Sequence, residues 1–167
     1  MHSFRQLVEI SAGYAFKVAF RIVGDEDDAT DIVQGTMITL WRTIKNIKSA
    51  GSFKTWLYRI VVNKCYDKLR KRKANPEFNA DERTWALISD KISEEPFTEL
   101  ENRETSRIIH LLTEKLSPKQ KAVFVLSDLE DLSAEEISAI TGLSRTNVKA
   151  NLHYARKRIG EMIEKHI

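Results

Sequence analysis

Apolar side chains return every third or fourth position along most of the chain, the period of an α-helix with one buried face. Phe4, Leu7, Val8, Ala15, Val18, Ala19 and Ile22 form a first stripe, which Gly24 and an acidic cluster break. A second stripe, Ala29, Ile32, Val33, Met37, Leu40, Trp41 and Ile44, predicts a helix headed by Asp27 and Asp28, where the helix dipole favours negative charge. The opposite face carries Asp27, Asp31, Gln34 and Ile38, and an isoleucine displayed beside an acid and an amide is the make-up of a docking surface. Gly35 costs about 1 kcal/mol in mid-helix relative to alanine, so a reason other than propensity is expected for it. Residues 46–52 are small and aperiodic and predict a loop. A third helix then buries Phe53, Trp56, Leu57, Ile60 and Val61, while Arg59, Asn63, Tyr66 and Arg70 line its far side at steps of four, three and four. An arginine, an amide and an aromatic ring on one stripe can pair with phosphate, read a base edge and stack on an unstacked base.

From residue 74 to 106 the period fades; the stretch holds Pro76 and Pro96 and predicts a linker, with Trp85-Ala-Leu-Ile88 able to form one helical turn. Fully extended, it would reach on the order of 110 Å, enough to set two domains well apart on one partner. Ile108, Ile109, Leu111, Leu112 and Leu116 open the second half as a helix. Ser117-Pro-Lys-Gln120 is a capping box with proline at the first helical position, starting a helix that runs through Leu126. Ser133-Ala-Glu-Glu136 is another, starting a short helix through Ile140. Gly142 supplies a turn, Ser144 a cap, and a last helix turns Val148, Leu152, Ala155, Ile159 and Met162 inward. A short helix, a glycine turn and a longer basic helix make a helix-turn-helix pattern, whose second helix enters a DNA major groove. Its outward face carries Thr146, Lys149, Ala150, His153, Tyr154 and Lys157, flanked by Arg145 and Arg156.

The charge distribution sharpens this picture. The formal net charge is only +3, yet residues 43–73 hold ten basic side chains against one acidic, residues 74–106 nine acidic against three basic, and residues 142–167 six basic against two acidic. Two basic blocks, each on a patterned helix and separated by an acidic stretch, point toward nucleic acid. Part of the run 68–73 also simply suits a helix C-terminus. No apolar run approaches the roughly 20 residues that cross a bilayer, so no membrane insertion is expected, and a cytoplasmic protein fits. Cys65 is the single cysteine, which excludes an intramolecular disulfide and suggests a small packed side chain. Six glycines and three prolines in 167 residues disfavour an all-β fold and suit an all-α one. His2, His110, His153 and His166 form no metal-spaced pair, and no phosphate loop or nucleophile motif is present, so neither catalysis nor a cofactor is expected.

Taken in order, these segments resemble the bacterial RNA polymerase sigma factors of the sigma-70 family, extracytoplasmic-function (ECF) group. Asp28-Ala-Thr-Asp-Ile-Val-Gln34 with Leu40-Trp41 is similar to the family's polymerase-binding helix. Phe53-Lys-Thr-Trp-Leu-Tyr-Arg-Ile-Val-Val-Asn63 with Asp67-Lys-Leu-Arg-Lys71 resembles the helix that meets the minus-ten element. The stretch from Leu132 through Val148-Lys149 to Ala155-Arg-Lys-Arg158 resembles the minus-thirty-five reader. Gly35 and Met37 stand where the family usually has an acidic residue and a phenylalanine, and Ala150, Asn151 and Tyr154 where it often has polar or basic ones.

The resemblance implies two small helical domains joined by an acidic linker: residues 1–73 for core polymerase and minus-ten DNA, residues 107–167 for minus-thirty-five DNA. It implies core-polymerase contacts at Asp31, Gln34 and Ile38. Minus-ten contacts are implied at Ser49, in the loop that shapes the base pocket, and at Arg59, Asn63, Tyr66 and Arg70, with Asn63 holding a flipped base. Minus-thirty-five contacts are implied at Arg145, Thr146, Lys149, His153, Arg156 and Lys157. Core RNA polymerase, promoter DNA and an anti-sigma factor are the partners it implies, and the linker would lie in the RNA exit path of the polymerase. The alternative is a stand-alone helix-turn-helix regulator, which would bind a palindromic duplex tightly without polymerase.

Overall fold

Each helical period meets a local signal that starts or stops it. Asp25 caps the second helix by accepting the Asp28 amide at 2.8 Å. Both serine capping boxes form, Ser117 with Gln120 and Ser133 with Glu136, and Gly142 ends its helix in the left-handed conformation at φ 78°. In the computed structural model, which describes residues 4–46, 50–73 and 102–166, these signals delimit an all-α chain. Its helices are α1 (Phe4–Val23), α2 (Glu26–Thr43), α3 (Ala50–Lys73), α4 (Asn102–Thr113), α5 (Pro118–Phe124), α6 (Ala134–Thr141) and α7 (Arg145–His166). A 3₁₀ turn, Ile44–Asn46, follows α2, and α5 continues as a π-helical turn, Val125–Leu129. None of the helices is long and apolar enough, among the described residues, to cross a membrane.

Several boundaries differ from those the period predicts. Helix α3 already starts at Ala50, inside the expected loop, and α4 starts at Asn102, inside the expected linker. Ser49 and residues 74–101, with the Trp85-Ala-Leu-Ile88 segment, lie outside the described residues. Leu116 falls beyond the end of α4 and is buried instead in a small cluster with Ala155 and Ile159. Trp41, expected in the inward stripe of α2, is 69% exposed, while Thr36 is fully buried and returns its hydroxyl to the Ile32 carbonyl. Gly35 has its packing reason: a β-carbon there would come within 3.1 Å of the Lys64 side chain, which lies across it from α3.

The main core is shared between the two halves of the chain. Ala15, Val18, Ile22, Ile32, Val61 and Cys65 from the first half form one buried cluster with Ala122, Val123, Leu126, Ile137 and Val148 from the second. Helix α1 contacts α4, and α3 contacts both α5 and α6. The two halves are therefore packed on one another in this form, not set apart as the reach of the linker would allow. Polar groups reinforce the seam. Arg21 of α1 pairs with Glu130 at 2.7 Å, both nearly buried, and Arg59 of α3 donates to the Ala139 carbonyl of α6 at 2.6 Å. The ring of His110 on α4 closes over Gly24, the turn between α1 and α2.

Candidate functional site

Three surfaces carry the predicted residues. On α2, Asp31, Gln34 and Ile38 all face solvent, and Ile38 is 54% exposed. Trp41 extends this row at the same three-and-four spacing, so four side chains form one stripe. The inward assignment from periodicity hid it; the signal that finds it is its step of three from Ile38. A charged seam fixes α2 against α3: Lys68 Nζ lies 3.4 Å from Asp31 and 3.7 Å from Asp28, and Arg72 pairs with Asp28. Asp31 keeps most of its carboxylate in water, so an incoming cation can reach it from outside.

On α3, only part of the predicted stripe is available. Asn63 is exposed. Arg70 is exposed and paired to Asp67 at 2.6 Å. The Arg59 guanidinium is occupied by the Ala139 carbonyl of the other half. Tyr66 departs from expectation: it packs against the core, and its hydroxyl is buried with no hydrogen-bond partner. Burial pushes that phenol up to about 12. The reason is tertiary. A helix packed on α1 and α2 alone would have a wide free face, but α3 also carries α5 and α6, which narrows it. Tyr58 is likewise buried, where the predicted inward stripe of α3 omitted it. With Ser49 outside the described residues, Arg59, Asn63 and Arg70 are the members of the expected minus-ten set that stand exposed.

The helix-turn-helix is formed by α6, the Gly142 turn and α7. Ile137, Ile140, Val148 and Ala155 are its buried residues, and Ser144 accepts the Asn147 amide at 3.1 Å to cap α7. Arg145, Thr146, Lys149, His153, Tyr154 and Lys157 are all exposed, as the wheel predicts. His153 and Tyr154 meet edge to face at 5.8 Å between ring centroids. Arg145 pairs with Glu135 at 3.0 Å. Arg156 is not simply displayed: its Nε and Nη2 grip Asp128 at 2.9 and 2.5 Å. That hydrogen bonding holds the Asp128 carboxyl below its ordinary range. Three of the five guanidinium donors remain for another acceptor. Asp128 sits in the π-helical turn, a position sequence periodicity could not place. Among the described residues, no group of three or more His, Cys, Asp or Glu side chains is arranged to hold a metal ion.

Comparison with known proteins gives the family and the fold. Residues 7–75 match the model of sigma-70 region 2, and residues 106–159 match that of sigma-70 region 4. The ECF RNA polymerase sigma factor SigE of Mycolicibacterium smegmatis is 30% identical over 99% of this chain, which spans 63% of that protein's length. The RNA polymerase sigma factor SigV of Bacillus subtilis is 30% identical over 85% of this chain and 80% of its own length. The sigma factor RpoE of Bartonella quintana, solved in complex with the anti-sigma factor NepR, shares the fold at a TM-score of 0.68, with 21% identity and 96% of each chain covered. The region 2 match accounts for the half that a stand-alone helix-turn-helix regulator would leave unexplained. With region 2 and region 4 in order and relatives of this similarity, the chain belongs to the sigma-70 family of RNA polymerase sigma factors, in the ECF group.

Proposed function

We propose that this chain joins core RNA polymerase through α2 and directs it to promoters, reading minus-ten DNA with α3 and minus-thirty-five duplex with α7. The observation that carries this reading is the pairing, in one chain, of an exposed apolar and acidic stripe on α2 with an uninterrupted outward face on the second helix of a helix-turn-helix. Asp31, Gln34, Ile38 and Trp41 would dock on the polymerase. Lys149 would reach a base edge near the start of α7, with Arg145, Thr146 and His153 beside it. Arg156 and Lys157 would hold phosphates. The function is recognition and duplex opening, not catalysis, and its setting is the cytoplasm, where promoter DNA and polymerase are. An anti-sigma factor is a further partner, supported by the fold shared with a sigma factor solved in such a complex. The test is transcription by core polymerase supplied with this protein alone. Initiation at defined start sites supports the reading, and duplex binding with no effect on initiation would overturn it.

Two expected outcomes follow from the DNA surfaces. In a promoter library randomised at the minus-thirty-five element, Lys149→Ala should relax preference at one position by roughly 1–3 kcal/mol, whereas Arg156→Ala should weaken all promoters together. A Lys149→Ala profile that is uniformly weaker, with no preferred base changed, would remove the base contact. Asn63→Ala should impair strand opening more than closed binding, since an exposed amide between two arginines suits an unpaired base. Permanganate reactivity of the promoter bubble reports opening directly, and normal reactivity in the variant would end the flipped-base role.

A further inference from the structure

The two DNA-binding halves share a core, yet minus-ten and minus-thirty-five elements lie about 25 base pairs apart, roughly 85 Å along B-DNA at about 3.4 Å per base pair. A chain closed as it is here cannot span that distance, so the shared core must part before both elements can be reached. At the centre of the seam lies a pair of nitrogen bases. Lys121 of α5 is 2% exposed and His110 of α4 is 7% exposed, with Lys121 Nζ 2.7 Å from His110 Nδ1. The imidazole covers Gly24 and hydrogen-bonds to the Ile22 backbone, so this one ring touches both halves. We infer that the His110–Lys121 pair is a proton-triggered release for the seam, which the shared apolar core holds closed while the pair is short of protons and which loosens as the pair takes them up.

The hydrogen-bond inventory leaves little choice. With Lys121 as ammonium, Nδ1 must be the acceptor, and the ring's other N–H serves the Ile22 carbonyl. A second proton, taken from solvent onto Nδ1, would put two cations in direct contact with no acceptor between them. The surrounding charges do not offset this. Arg72 of α3 acts on both groups as a further cation, although it is itself bound to Asp28 of α2 and donates to the Val23 carbonyl at 2.5 Å. Glu114, just past the end of α4, is the carboxylate that favours the ammonium, and the buried Cys65 thiol faces it from α3.

The sign follows from the two bases. Burial, then Arg72, pushes Lys121 down from 10.5 to about 7; burial, then Lys121, pushes His110 down from 6.5 to about 3. Both groups bind protons more readily once solvated, so acid favours the open form and alkali the closed one. The Lys121 contribution to closure is complete above 10.5 and is lost as pH falls to about 7. That of His110 is complete above 6.5 and is lost as pH falls toward 3. Acidification would thereby weaken closure and favour the extended chain that a promoter requires. That consequence rests on the sigma-factor reading, whereas the opening itself does not.

Small-angle X-ray scattering of the full chain at pH 8.5 and pH 5.5, with helicity followed by circular dichroism, tests the release without polymerase or DNA. The radius of gyration should rise by about a third at the lower pH, as for two small domains moved apart, with helix content unchanged. The double variant His110→Gln/Lys121→Met, which has no base to protonate, should stay compact at both. An unchanged radius in the wild type, expansion that tracks loss of helix, or equal expansion in the double variant would each overturn the proposal. If the double variant is not helical at pH 8.5, His110→Gln alone decides: it should expand less than the wild type, and full wild-type expansion would overturn the proposal.

Discussion

Gly24→Ala is expected to be among the most damaging single-methyl additions in this protein, lowering stability by about 2–5 kcal/mol. Gly24 has φ +70°, where a β-carbon costs roughly 1–2 kcal/mol. A β-carbon built there would lie 2.1 Å from the His110 ring, and overpacking of this kind adds roughly 1–3 kcal/mol. The check is urea denaturation followed by circular dichroism, in the wild-type and His110→Ala backgrounds. Removing the ring should relieve the steric part and leave the backbone part, so the glycine substitution should cost less in the second background. Equal costs in both would mean that the ring does not close over this turn. A fall in the denaturant slope for Gly24→Ala would further report loss of packing between the halves, because that slope follows the surface exposed on unfolding.

The second large effect is expected on polymerase binding. Asp31→Lys should raise the Kd for core polymerase at least tenfold, about 1.4 kcal/mol, by replacing an accessible carboxylate with a cation next to Lys68. Trp41→Ala should cost on the order of 30-fold, since a tryptophan displayed beside Ile38 is the kind of anchor that dominates interface energies, at roughly 2 kcal/mol or more. Fluorescence titration of labelled protein with core polymerase measures both. Wild-type affinity in both variants, with normal helicity, would remove α2 as the docking element. Lys68→Ala separates direct from indirect effects: it leaves the carboxylate in place and unpairs it, so it should change affinity far less than Asp31→Lys.

The family, the all-α class and the helix-turn-helix were legible in the amino-acid order because they depend on interactions a few residues long. Ser117 and Ser133 reach only three residues to their capping partners, and Gly142 sets its own backbone. The inward stripe Val148 to Ile159 and the outward row Thr146 to Lys157 follow from one helix's period alone. The same holds for Asp31, Gln34 and Ile38, whose exposure follows from the period of α2 itself.

What the sequence could not supply depends on contacts between distant segments. Periodicity sorts the sides of a helix but does not say how many neighbours a side receives. It placed Trp41 inward because an indole is apolar, yet packing left that edge of α2 open. It placed Tyr66 outward because its spacing matches Arg59 and Asn63, yet α3 is packed from both halves of the chain and the ring is drawn to the core. Arg156 looked like a free cation until the π-helical turn brought Asp128 to it across 28 residues. His110 and Lys121, eleven residues apart on different helices, gave no motif at all. Their pairing, and the closed arrangement it sits within, were decided only when the tertiary fold buried two bases together between the halves, where the cost of desolvating charge governs which protons they can hold.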